Sequence, residues 1–325
     1  MKRFPSLETK TFVAYIADNS SLGIHRAGYN GIASLIPKHS GNNLFVPMYA
    51  GLNYETISLT GLSPYTHPGG SKFEPRSEPM HIECATAGEV VLIQPETSHS
   101  HVGARIMFSV EEPYYLHQHI ELAFHKRFCT MEESNAFRSL WASYIHMPSD
   151  RHIYLKPDLE EGAELEGWVG ITKADHGYHS DHSVDTEVRR LPDTDEITPA
   201  EHLEEMGRQK PQKTADLFDS AKPDSSTQPI SHRILGPLAF YYGFCHGEQQ
   251  FLMMFAQPGR FRLAYSPCGA GKEPAWNPAW DYILHLDDAK TGVVYSWDVC
   301  LAVKPYKGRK DVLGEVRSYL NRFRT

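Results

Sequence analysis

The run YYLHQHIELAFH at 114–125 alternates strictly, so a strand there sets Tyr115, His117, His119, Glu121 and His125 on one face and Leu116, Ile120, Leu122 and Phe124 on the other. Side chains two apart on a strand stand roughly 7 Å apart at Cβ, near enough for two imidazoles and a carboxylate to meet on one ion or one hydroxyl. The aliphatic face belongs to a core. The polar face either meets water, floors a ligand cleft, or holds a divalent metal through His117, His119 and Glu121. His99 and His101 repeat the i, i+2 relation just before the apolar run at 104–110. His176, His179 and His182 share a turn whose Gly177 and Ser180 oppose the helix that would align them, so a solvated loop is expected there.

Other stretches carry polar groups among aromatic ones. FRSLWASYIHMPSDRHIYL at 137–155 brings Arg138, Trp141, Tyr144, His146, Arg151 and His152 close in sequence. Stacking rings beside charged donors and a group titrating near neutrality suit a carbohydrate, although the same rings also suit a core flanked by snorkelling arginines. His25 and Arg26 stand in a Gly-rich turn, and Asn53 with Glu55 on one face of the strand at 52–57; both must be hydrogen-bonded if buried, by a sugar or by a structural network. Later come His232, Arg233, Tyr241 and Tyr242, then Trp276, Asn277, Trp280 and Asp281 in a turn entering a strand. No nucleophile elbow, phosphate-binding Gly loop, dinucleotide fingerprint or HExxH is present.

The elements that position these residues read as strands. Short apolar or alternating runs recur at 12–17, 80–86, 89–94, 104–110, 114–125, 168–172, 234–245, 249–256, 260–266, 280–286 and 293–303, with turn residues between them. That spacing, without alternating amphipathic helices, predicts an all-β fold: a large antiparallel β-sandwich, one domain over 1–325. Two helices are expected. One spans 198–206, with Thr198 as N-cap, Pro199 in its first turn and Glu201 closing a capping box. The other spans 310–323, where Val312, Val316, Tyr319, Leu320 and Phe323 make an apolar stripe. The polar stretch at about 190–230 reads as an inserted loop.

Composition narrows the partners. Lys plus Arg total 32 against 40 Asp plus Glu, a net charge of −8, which disfavours nucleic acid and anionic membrane surfaces. Five scattered cysteines, Cys84, Cys129, Cys245, Cys268 and Cys300, form no CxxC pair and read as reduced thiols. With no apolar leader and no run of membrane-spanning length, a cytoplasmic protein is expected, acting on a small molecule or oligosaccharide. The C-terminal helix or a sheet edge would support a homodimer.

HRAGYNGIASL, then ARIMFSVEEPYYLHQHIELAFH followed by WASYIHMPSDRHIYL, and the closing NPAWDY to VKPYKGRKDVL stretch together resemble the galactose mutarotase-like β-supersandwich superfamily, which includes sugar epimerases and sandwich domains of polysaccharide lyases. The resemblance implies a supersandwich working on sugar rings with paired acid and base residues. It makes His119, Glu121 and His146 the proton-transfer candidates. From the residue patterns above, Tyr241 joins them as a catalytic candidate, and His25, Arg26, Asn53, Glu55, Arg138, Trp141, Tyr144, Arg151, Trp280 and Asp281 are the candidates for holding the substrate. The His-Pro-Tyr strand end of the aldose epimerases has only His146-Met147-Pro148 near it. Three readings follow: an epimerase- or lyase-type enzyme needing no cofactor, a metal-dependent version of it, and a sugar-binding protein without catalysis.

Overall fold

The computed structural model describes residues 4–19, 30–46, 51–59, 73–126, 136–157, 167–173, 186–191, 238–247, 249–257, 260–266 and 277–324. The expected helix at 198–206, the polar stretch from 192 onward, and His25, Arg26, His176, His179, His182, His232, Arg233, Trp276, Cys129 and Cys268 lie outside them. Two compact units divide the chain, one of residues 1–143 with 282–298 and one of residues 144–281 with 299–325.

The first unit holds β1 (Ser6–Glu8), β2 (Phe12–Ala17), β3 (Gly31–Pro37), β4 (Leu52–Leu59), the short helix α1 (Glu74–Ser77), β5 (His81–Ala85), β6 (Glu89–Gln94), β7 (Val102–Glu111), β8 (Tyr115–Phe124) and β9 (Phe137–Ser143). It also takes the larger part of β16 (Ala279–Leu286) and the start of β17 (Val294–Pro305). One antiparallel sheet runs β1-β2-β3-β4-β9-β16; the other runs β5-β6-β7-β8 and continues to β17. The two face each other across a buried, largely apolar core. Phe124 of β8 meets Phe137 of β9 edge to face at 4.9 Å, and the Tyr282 hydroxyl of β16 donates to Gln118 Oε1 of β8 at 2.9 Å.

In the second unit, β10 (Ile153–Leu155), β11 (Trp168–Lys173), β12 (Thr186–Leu191), β13 (Phe240–Phe244) and β14 (Gln249–Phe255) form an antiparallel sheet in the order β12-β11-β10-β13-β14, with the second half of β17 beside β14. The unit also contains β15 (Phe261–Ser266) and α2 (Arg309–Asn321). The apolar stripe forms as its period requires: Val312, Val316, Tyr319 and Leu320 are buried, while Phe323 lies past the helix end and is exposed. Buried Lys304 of β17 ties the helix down, reaching Asp311 at 2.8 Å and also Glu315. Close packing fixes the sheet as well. A Cβ on Gly243 would come within 2.4 Å of the Trp280 ring, so only glycine lets that indole pack this close to β13.

The fold is therefore all-β, two antiparallel sheets with a C-terminal helix, as its strand pattern requires. Among the described residues no helix is long and apolar enough to cross a membrane.

Candidate functional site

Strand β8 alternates as its sequence demands: Leu116, Gln118, Ile120, Leu122 and Phe124 are buried, and the residues between them are half-buried on the other face. Its register with β7 places Arg105 opposite Glu121, Met107 opposite His119 and Ser109 opposite His117. Asp298 reaches the same face from β17. The sheet thus gathers a band of titratable side chains within the first unit.

His119 stands at the middle of that band. Its Nδ1 lies 2.7 Å from Asp298 Oδ1, its Nε2 lies 3.7 Å from Glu121 Oε1, and Arg105 Nη1 lies 3.6 Å from the other Glu121 oxygen. The hydrogen bond to Asp298 raises the imidazole pKa. Partial burial opposes it, but the charges of Asp298 and Glu121 add to the rise, and the value ends above that of a free histidine. Asp298 also orients the ring, claiming Nδ1–H and leaving Nε2 on the side of Glu121. His119 is 29% exposed and Asp298 25%, enough for a ligand to touch the pair without leaving either in bulk water.

His117 turns the other way. Its Nε2 lies 3.0 Å from Glu111 Oε2, and the Tyr115 ring lies nearly parallel to it at 6.4 Å. The metal reading through His117, His119 and Glu121 fails on this point, since the two imidazoles have different carboxylate partners and do not converge. Among the described residues no three His, Cys, Asp or Glu side chains are grouped to hold a metal ion.

Trp141 is not part of this face. It is fully buried on β9, stacked between Tyr54 at 5.3 Å and Tyr282 at 6.0 Å. Tyr282 bonds to Gln118, on the core face of β8, so Trp141 and His119 lie on opposite sides of that strand. Trp141 and the β8 imidazoles therefore do not face one hollow, since β9 is buried at nearly every position and its tryptophan points inward.

Among the other expected residues, Tyr241 and Trp280 are packed inside the second unit. Burial first, and Asp281 second, push the Tyr241 hydroxyl far above its ordinary pKa, and it donates to the Trp280 carbonyl at 2.7 Å. Trp280 is fully buried and gives its indole N–H to the Arg151 carbonyl at 3.2 Å. Neither offers a proton or a stacking face to a substrate. Glu55 pairs with Arg76 at 3.1 Å, and Arg76 lies over the Phe73 ring at 4.0 Å. Asn53 is buried. Arg138 of β9 stands across from His285 of β16. Tyr144, His146, Arg151 and Asp281 belong to the second unit, where Tyr144 bridges to Ala279 and His146 is half-buried.

Sequence reading missed Asp298, Arg105 and Glu111 as partners of the histidines. Asp298 had one visible signal: it is the only charged residue between Val294 and Val303 in an otherwise apolar strand.

No protein-family model matches the chain, and no curated protein matches it in sequence. Solved structures similar in fold include a candidate aldose 1-epimerase from Escherichia coli K12, at 10% identity and TM-score 0.49 over 93% of this chain and 99% of that one. An alpha-N-acetylgalactosaminidase from Bifidobacterium bifidum aligns at 9% identity and TM-score 0.49 over 98% of this chain and 39% of its own. A heparan sulfate lyase from Pedobacter heparinus aligns at 7% identity and TM-score 0.41 over 91% of this chain and 33% of its own.

Proposed function

We propose that the chain is a carbohydrate-active enzyme in which His119 and Glu121 exchange a proton with a sugar ring, as in epimerisation or β-elimination, while Asp298 positions the imidazole. The observation that carries this reading is the Asp298–His119–Glu121 arrangement on the half-open face of β8. Such chemistry needs one group to take a proton and another to return it, with separated pKa values. An imidazole lifted by one carboxylate and set beside a second meets that need. Arg105, close to Glu121, supplies a cation beside the acid–base pair. The sugar class comes from the sequence resemblance, and a face rich in acceptors and donors, with the Tyr115 ring beside it, is suited to hydroxyls.

The test is a panel of aldoses and uronic-acid oligosaccharides, followed by polarimetry for epimerisation and by ultraviolet absorbance for an unsaturated product. Turnover of at least one sugar by the wild-type chain, abolished in His119→Ala and strongly reduced in Glu121→Gln, is the expected result. Binding without any product would make it a carbohydrate-binding protein instead, and no binding at all would remove the sugar reading.

A further inference from the structure

Two histidines stand on the half-open face of β8, and the chemistry above uses only His119. His117 is turned away from it: its Nε2–H donates to Glu111 Oε2 at 3.0 Å, and the Tyr115 ring lies nearly parallel to the imidazole at 6.4 Å. Ser109 of β7 stands opposite His117, and Glu89 of β6 stands opposite Ser109. Residues directly opposite share a face, so a polar row of Glu89, Ser109 and His117 crosses three strands beside the Tyr115 ring. One level further along β8, Val91 and Met107 take those places beside His119. The two histidines thus head two levels of different character.

The groups at the His117 level are open to a ligand. His117 is 25% exposed and Glu111 44%, while Tyr115, Ser109 and Glu89 are half-buried. The two levels lie roughly 7 Å apart along the strand, and the band from Tyr115 to Glu121 runs about 20 Å, several times the width of one pyranose ring. A ligand that engages the whole band must therefore hold more than one ring. Its second unit would meet the Tyr115 ring for its C–H surface, the Ser109 hydroxyl as donor or acceptor, and the carboxylates of Glu111 and Glu89 as acceptors for its hydroxyls. Two carboxylates at that level repel an anionic unit and accept a neutral one.

We propose that Tyr115, His117, Glu111 and Ser109 form a subsite for a second, neutral sugar unit, so that the ligand of this face is an oligosaccharide laid along β8 and not a free monosaccharide; this rests on the carbohydrate reading proposed above.

The test is nitrogen NMR of labelled histidines in the full chain, the signals being assigned by their loss in His117→Gln and His119→Gln. Lactose, cellobiose and mannobiose are titrated in turn and compared with D-galactose, D-glucose and D-mannose. At least one disaccharide should move both histidine signals saturably and bind about tenfold more tightly than its component sugars, which should move His119 alone. Tyr115→Ala should remove most of that disaccharide advantage, and Tyr115→Phe, which keeps the ring, should restore it. A His117 signal unmoved by every disaccharide while that of His119 responds would overturn the inference and leave the function proposed above standing. So would a Tyr115→Ala variant that binds monosaccharides and disaccharides more weakly by the same factor, which would make the face one undivided site. If neither histidine responds to any sugar, the carbohydrate reading fails and this inference with it.

Discussion

A histidine flanked by two carboxylates favours its charged form, and His119 has Asp298 on one nitrogen and Glu121 beyond the other. Because its folded-state pKa lies above the unfolded value of about 6.5, the pairing contributes fully to stability below that value and is lost as the pH rises through the raised pKa. Asp298→Asn should therefore bring the NMR titration of His119 down toward the ordinary value. The variant should also lose roughly 1 kcal/mol at about pH 5, the loss narrowing above neutrality, as read by thermal unfolding at both pH values; the figure is small because the pair is partly solvated. An unchanged titration would show that Asp298 does not hold the ring. The histidine half of this pair was legible in the sequence and the aspartate half was not, since Asp298 lies 179 residues further on and pairing between distant strands leaves no local trace.

Strands differ in how much of themselves they reveal. β8 is covered on one side only, so its alternation named the core face and the polar face correctly. β9 is buried at every position but one and β16 at every position, so neither carries a period to read, and the side taken by Trp141 could not be assigned. The tryptophan that looked like a sugar platform fills the core. Trp141→Ala should accordingly cost about 3–5 kcal/mol in denaturant unfolding, through the cavity left between Tyr54 and Tyr282. A loss of ligand affinity at unchanged stability would mean that the ring is functional after all. In the second unit, Lys304→Ala would leave Asp311 and Glu315 without their shared cation, and α2 should loosen first. About 2 kcal/mol of local protection lost from the α2 amides, with β13 and β14 unaffected, is the expected hydrogen-exchange result; equal loss in helix and sheet would contradict it.

For the molecule as a whole, the net charge of −8 and the carboxylates of Glu111, Glu121 and Asp298 along one face set a negative field around the site, with Arg105 set against Glu121. Neutral sugars should therefore show higher kcat/KM than uronate-bearing ones, the gap widening at low salt as screening weakens. Preference for the uronates would contradict a negative field at the site. The sheets explain why the site could be found at all: a strand covered on one side displays every second residue, and β7, β8 and β17 bring such residues to one face.

Steady-state kinetics of wild type, His119→Ala and Asp298→Asn across pH, on whichever sugar the panel shows to be turned over, test the central claim most directly. A proton-transfer role predicts that His119→Ala loses about two to four orders of magnitude in kcat/KM, and that Asp298→Asn keeps more activity but shifts its pH inflection downward. Full turnover by His119→Ala, or an inflection that stays in place without Asp298, would contradict it.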